Sequence, residues 1–75
     1  MIYYIQTIEE LGQNLRLKRE RCGLTQREVA DKLYIDRSTY AYYEIGKTEP
    51  SVLILIRLAE IFEIPLIELF KRKHY

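Results

Sequence analysis

Gly23-Leu24-Thr25-Gln26-Arg27-Glu28-Val29-Ala30-Asp31-Lys32-Leu33-Tyr34-Ile35-Asp36-Arg37-Ser38-Thr39-Tyr40-Ala41-Tyr42-Tyr43-Glu44-Ile45-Gly46-Lys47 is the stretch whose reading decides the fold. Thr25-Gln26-Arg27-Glu28 has the form of a capping box: the Thr25 hydroxyl accepts from a backbone N–H three residues on, and Glu28 reaches back. Val29, Ala30 and Leu33 follow at helical spacing and give a short helix one apolar face. The pattern breaks at Tyr34-Ile35. Asp36 is then a natural N-cap for a further helix, Arg37 to Ile45, which Gly46 ends.

Working outward, Thr7-Ile8-Glu9-Glu10 reads as another capping box, and Ile8, Leu11 and Leu15 continue it as a helix over 8–22 that Gly23 closes. On the other side Lys47-Thr48-Glu49-Pro50 is a loop and Ser51 caps a helix over 52–62. Pro65 suits the first turn of a fifth helix, 65–71. Five helices with short connections leave no room for a sheet. The expectation is one all-α domain over 1–75, with 1–6 as an N-terminal extension and 72–75 as a tail. A chain of 75 residues holds one compact domain. So small a core stabilises only weakly, and caps and helix packing must carry their share.

Composition excludes several classes. With 48% hydrophobic and 31% charged residues the chain is globular rather than disordered. Cys22 is the single cysteine, so no internal disulfide can form, which fits a reducing compartment. Met1-Ile2-Tyr3-Tyr4-Ile5 lacks the basic flank and small-residue cleavage site of a signal peptide. The apolar run Val52 to Ile56 is far too short to span a bilayer. A cytoplasmic, nucleoid-associated protein is expected. Cys22 and His74 cannot build a zinc site, and His74 is read as an inert tail residue. No glycine-rich phosphate loop and no Ser/His/Asp or Cys/His set is present, and Glu9-Glu10 are read as helix-start charges. Neither cofactor nor metal nor enzymatic activity is expected.

Net charge is only +1, but its distribution is uneven. Residues 16–47 carry eight Lys/Arg (16, 18, 19, 21, 27, 32, 37, 47) against five Asp/Glu (20, 28, 31, 36, 44). Residues 48–70 carry Arg57 against Glu49, Glu60, Glu63 and Glu68, and a basic tail follows at Lys71, Arg72 and Lys73. One face can therefore meet phosphates while another faces a protein.

Two short helices joined by a three- or four-residue turn, the second with a polar first turn, have helix-turn-helix geometry, which many helical bundles also contain. More specific is the wording itself. Gly23 to Leu33, then Asp36-Arg37-Ser38-Thr39, then Tyr43-Glu44-Ile45-Gly46-Lys47, resemble the lambda-repressor-like (Cro/cI, Xre) family of helix-turn-helix transcriptional regulators. Pro50-Ser51 and Leu55 to Ile64 resemble that family's fourth helix, so the likeness covers roughly residues 11–70.

The resemblance implies a sequence-specific regulator, a repressor by preference, that binds double-stranded DNA with the recognition helix 37–45 in the major groove. Gln26 would touch a phosphate beside the N–H groups of its helix start. Arg37 is the leading base reader, because arginine bonds bidentately to guanine O6 and N7. Ser38, Thr39, Ala41 and Tyr42 come next, and Lys47 and Thr48, with Arg16, Lys18 or Arg27, would hold the backbone. Each has a plainer alternative: Gln26 as a helix former, Arg37 as a solvated charge beside Asp36, Ser38 and Thr39 as helix-start residues, and Arg16, Lys18 and Arg21 as ordinary surface. The resemblance also pairs Arg19 with Glu44 as a structural ion pair rather than a DNA contact.

Three departures carry information. Tyr34 stands where the turn usually has a small or polar residue; it would be strained at positive φ, unless the turn is of another type or the ring packs over it. Tyr40 and Tyr43 share a face with Glu44 and read as core, whereas Tyr42 points outward. In the fourth helix Val52, Leu55, Leu58, Ala59 and Phe62 suffice for the core. Leu53, Ile54 and Ile61 are then surplus, together with Ile67, and such surplus marks an interface. The expectation is a homodimer through these four residues, which Ile2 to Ile5 either join or leave to cover the core. The alternative is a protein-interaction module, such as an antitoxin component, turning the same apolar surface to a protein partner.

Overall fold

The computed structural model describes residues 3–72, so Ile2 and His74 lie outside the described residues. Four α-helices follow one another: α1 (Ile8–Arg21), α2 (Gln26–Leu33), α3 (Arg37–Glu44) and α4 (Val52–Ile61). In place of a fifth α-helix stands a single 3₁₀ turn, Leu66–Leu69. Sheet is also present. Strand β1 (Tyr3–Tyr4) pairs antiparallel with β2 (Lys71–Arg72), Tyr3 opposite Arg72 and Tyr4 opposite Lys71. Two-residue strands show no alternation, so the ladder left no trace in the hydrophobic pattern.

Side chains off α1 hold that ladder. The buried Asn14 amide donates to the carbonyls of Leu69 at 2.8 Å and Lys71 at 2.9 Å. Ile5 N–H donates to Phe70 C=O at 2.7 Å, and Arg72 Nε meets Glu10 at 2.7 Å. Leaving such buried carbonyls unpaired would cost about 1–3 kcal/mol each, so Asn14 substitutes for a missing strand neighbour.

The core gathers Leu11 and Leu15 of α1, Val29, Ala30 and Leu33 of α2, Tyr40 and Tyr43 of α3, and Leu55, Leu58 and Ala59 of α4, with Phe62 and Leu69. Val52 is not part of it. It is in phase with Leu55 and Ala59 but occupies the first position of α4, beyond the packed surface, and is 69% exposed. Ile54 and Ile61 pack against the core, whereas Leu53, Ile56 and Ile67 are exposed.

Helix starts follow local chemistry. Thr25 and Glu28 form a complete capping box, and Ser51 accepts from Ile54 N–H at 3.2 Å. Thr7 accepts from Glu10 N–H, but the Glu10 carboxylate reaches past it to Gln6 N–H at 3.2 Å. Asp36 sits at the N-cap of α3 in extended conformation without a side-chain capping bond.

The four helix ends share one device. At each, a residue in left-handed conformation lets the next N–H donate to a carbonyl five residues back. Leu24 bonds to Arg19, Ile35 to Ala30, Lys47 to Tyr42 and Ile64 to Ala59. The left-handed residues are Gly23, Tyr34, Gly46 and Glu63. Tyr34 has φ 58° and is 90% exposed. The turn therefore does need positive φ, and the ring does not pack over it.

Candidate nucleic-acid interface

The interface is built on α3, whose two faces have different neighbours. Tyr40, Tyr43 and Glu44 face inward, and the Tyr40 and Tyr43 rings meet edge to face at 6.3 Å between centroids. On the outer face, positions 37, 38, 41, 42 and 45 fall in one stripe by helical spacing. Arg37, Ser38, Tyr42 and Ile45 are exposed there, and Ala41 is half-buried between them. Thr39, also half-buried, lies at the rim of the stripe. Just beyond α3, Lys47 and Thr48 are exposed, with Lys47 Nζ 4.4 Å from the centre of the Tyr42 ring. That cation–π contact was not expected from sequence; only the five-residue spacing across a helix end hinted at it.

Two features seat α3 on α1. At Gly12 the backbones come so close that a Cβ would overlap the carbonyl groups of Tyr43 and Glu44. Next along the helix, Arg19 grips Glu44 with two bonds, Nε to Oε2 at 2.7 Å and Nη2 to Oε1 at 3.1 Å. Arg19 Nη1 also donates to Leu24 C=O at 2.9 Å, tying in the segment before α2. The carboxylate is nearly enclosed, its side chain 3% exposed against 13% for Arg19. Burial disfavours its charge, but the hydrogen bonds from Arg19 and Gln26 outweigh that and hold the Glu44 carboxyl below its ordinary pKa. The buried Tyr40 hydroxyl makes no hydrogen bond of standard geometry; burial first, and then the neighbouring Glu44 charge, push its pKa up.

Gln26 opens α2 and is half-buried, so its side chain is not free in solvent. Its Nε2 donates to Glu44 Oε1 at 3.0 Å, and its Oε1 accepts from Arg37 Nη1 at 3.0 Å. The chain Arg19–Glu44–Gln26–Arg37 thus links α1, α3 and α2 to the first residue of the outer stripe. Sequence reading named all four residues and paired Arg19 with Glu44, but did not link that pair through Gln26 to Arg37, since side-chain contacts across 18 and 11 positions leave no periodic signal. Arg27 is exposed on α2. Arg16 lies on α1, exposed and paired with Glu20 at 3.3 Å, one turn along the same helix.

Among the described residues no group of three or more His, Cys, Asp or Glu could hold a metal ion. No helix among them is long and apolar enough to cross a membrane.

Comparison with known proteins agrees with this geometry. A helix-turn-helix family profile matches residues 15–69. The HTH-type transcriptional regulator YqaE of Bacillus subtilis is 41% identical over 60 residues, which is 80% of this chain and 52% of the relative. This chain spans 52%, 21% and 58% of the length of the first three curated relatives it matches. Among solved structures, the restriction-modification controller protein C.AhdI from Aeromonas hydrophila superposes with a TM-score of 0.79 at 33% identity, covering 84% of this chain and 96% of that one. The DNA-binding domain of BldD from S. venezulae gives a TM-score of 0.74 at 29% identity, over 84% of this chain and 94% of its own. With α2 and α3 as its paired helices, this chain belongs to the helix-turn-helix family of the lambda-repressor-like, Xre/Cro-cI type.

Proposed function

We propose that the chain binds double-stranded DNA sequence-specifically and regulates transcription, with α3 lying in the major groove. The observation that carries this is the division of α3. Its inner face is fixed by Gly12 and the Arg19–Glu44 pair, while its outer face presents Arg37, Ser38 and Tyr42 to solvent, with Lys47 and Thr48 at its end. A rigid helix with an exposed polar stripe is what base-edge reading needs.

In this reading Arg37 reads guanine, and a bidentate contact of that kind discriminates by about 1–3 kcal/mol. Ser38, Thr39 and Ala41 meet neighbouring base edges, and Tyr42 meets a phosphate or a thymine methyl. Lys47, Thr48, Arg27 and Arg16 hold phosphates, Arg16 on release from Glu20. The first N–H groups of α2 have no carbonyl ahead of them in the helix and suit an anion beside Gln26.

The protein acts as a homodimer. Val52, Leu53 and Ile56 lie on one side of α4 by spacing, and Val52 and Leu53 are 69% and 72% exposed. Exposed Ile67 supplies further apolar surface, and Ile54 and Ile61, packed on the core, contribute only their edges. Apolar surface left open in this way favours self-association, which sedimentation at high micromolar concentration reads directly. A strict monomer there removes the dimer from the account.

Selection from random duplexes at one stated, near-physiological salt concentration tests the whole reading. An enriched inverted repeat is the expected result. Absence of any enriched sequence, with only weak salt-sensitive binding, would overturn it.

A further inference from the structure

The Arg19–Glu44 pair does more than hold two helices together. We infer that Glu44, acting through the Gln26 amide, is a positioning residue that sets the pose of Arg37 and so sharpens base reading at the position Arg37 faces. The inference rests on the DNA-binding reading above and adds a role for a buried carboxylate that touches no DNA.

The argument follows from hydrogen-bond polarity. A side-chain amide has a donor end and an acceptor end. Glu44 Oε1, already receiving Arg19 Nη2 at 3.1 Å, is a charged acceptor, so only the Nε2 end of Gln26 can face it, at 3.0 Å. That leaves Oε1 turned the other way, toward Arg37 Nη1 at 3.0 Å. Cation, anion, amide and cation therefore alternate without a mismatched contact. Were the amide reversed, its NH₂ would face a guanidinium that has no acceptor, and the link would break. The buried charge thus fixes which way Gln26 points.

The consequence falls on Arg37. Its side chain is long, exposed and otherwise free to sample many rotamers, and ordering such a chain on binding weakens the contact it makes. Gln26 holds one corner of the guanidinium and leaves the rest of its five-donor fork for a base edge. No other hydrogen bond to the Arg37 guanidinium is seen among the described residues. Gln26 as a phosphate contact alone requires none of this connectivity. The two roles differ in what they change: a phosphate contact alters affinity uniformly across sequences, whereas a positioning residue alters preference at one base pair.

The test compares the full chain with Gln26→Met, Arg37→Ala, the double variant and Glu44→Gln. Each is checked for folding by circular dichroism, then profiled by equilibrium binding to a duplex library at fixed salt. Gln26→Met leaves the Arg19–Glu44 pair intact, so the inference stays testable if Glu44→Gln does not fold. The expected result is that Gln26→Met lowers the preference at the base pair lost in Arg37→Ala by about fivefold or more. Adding it to Arg37→Ala should change preference at that position no further, and folded Glu44→Gln should show the same localised loss. Uniform weakening by Gln26→Met, with every base preference retained, overturns the inference and leaves the DNA-binding reading standing. Absence of any sequence preference in the unaltered protein overturns both.

Discussion

The α1–α3 junction and the α4 surface solve opposite problems in one small domain. At the junction, α3 adds to its core residues Tyr40 and Tyr43 a close backbone approach at Gly12 and a carboxylate 3% exposed with two partners. On α4 the apolar residues outnumber the core positions, and Val52 and Leu53 remain in solvent. Directional bonds fix the angle of a helix, whereas apolar surplus fixes nothing until a second surface meets it. The first region suits a helix that must present side chains in register, and the second suits association.

Breaking the buried pair should have the largest effect. Glu44→Ala leaves Arg19 enclosed without its carboxylate, and truncating one partner of such a pair costs about 3–5 kcal/mol, readable from urea unfolding. The same group gives an acid dependence. Its folded pKa lies below the unfolded value of about 4.3, so its contribution is complete above that pH and fades as pH falls through the folded pKa. Glu44→Gln should remove that part of the acid transition. Gly12→Ala comes next: the added Cβ must push α3 off α1, at a cost of about 1–3 kcal/mol, with weaker DNA binding.

Tyr34→Gly acts in the other direction. It relieves a left-handed tyrosine that no packing offsets, and after the extra unfolded-state entropy of glycine the gain should be about 1 kcal/mol at most, a rise of several degrees in Tm. Smallest in stability is Leu53→Glu, expected within about 0.5 kcal/mol for the folded chain. Its effect should appear in sedimentation, as a shift from dimer to monomer. A loss of several kcal/mol instead would mean that Leu53 belongs to the core and that the contrast between the two regions is misdrawn.

The helix ends show how much of this was legible in the sequence. All four close on a left-handed residue, yet only Gly23 and Gly46 advertise it. At Tyr34 and Glu63 the same conformation is imposed on residues that do not prefer it, so the end of α4 carried no marker. Polar caps were readable because they are local; Asp36, placed as expected, makes no capping bond. Phase within α4 is readable too, but not where packing stops, which is why the pattern places Val52 inward although it is exposed. The Asn14 clamp, the β1–β2 ladder and the Gln26 bridge join positions 11 to 69 residues apart. Such links depend on the assembled fold. Gly12, in the middle of α1, offered the one overlooked hint, since glycine inside a helix weakens it unless another backbone must pass close by.

The most direct test of the account is an amide chemical-shift titration of the isotope-labelled protein with its selected duplex at near-physiological salt. The account predicts that the largest changes fall at Gln26 and Arg27, along Arg37 to Tyr42, and at Lys47 and Thr48, while Val52 to Ile56 shift little. Changes centred on Val52 to Ile56 and Ile67, with α3 unmoved, would contradict it.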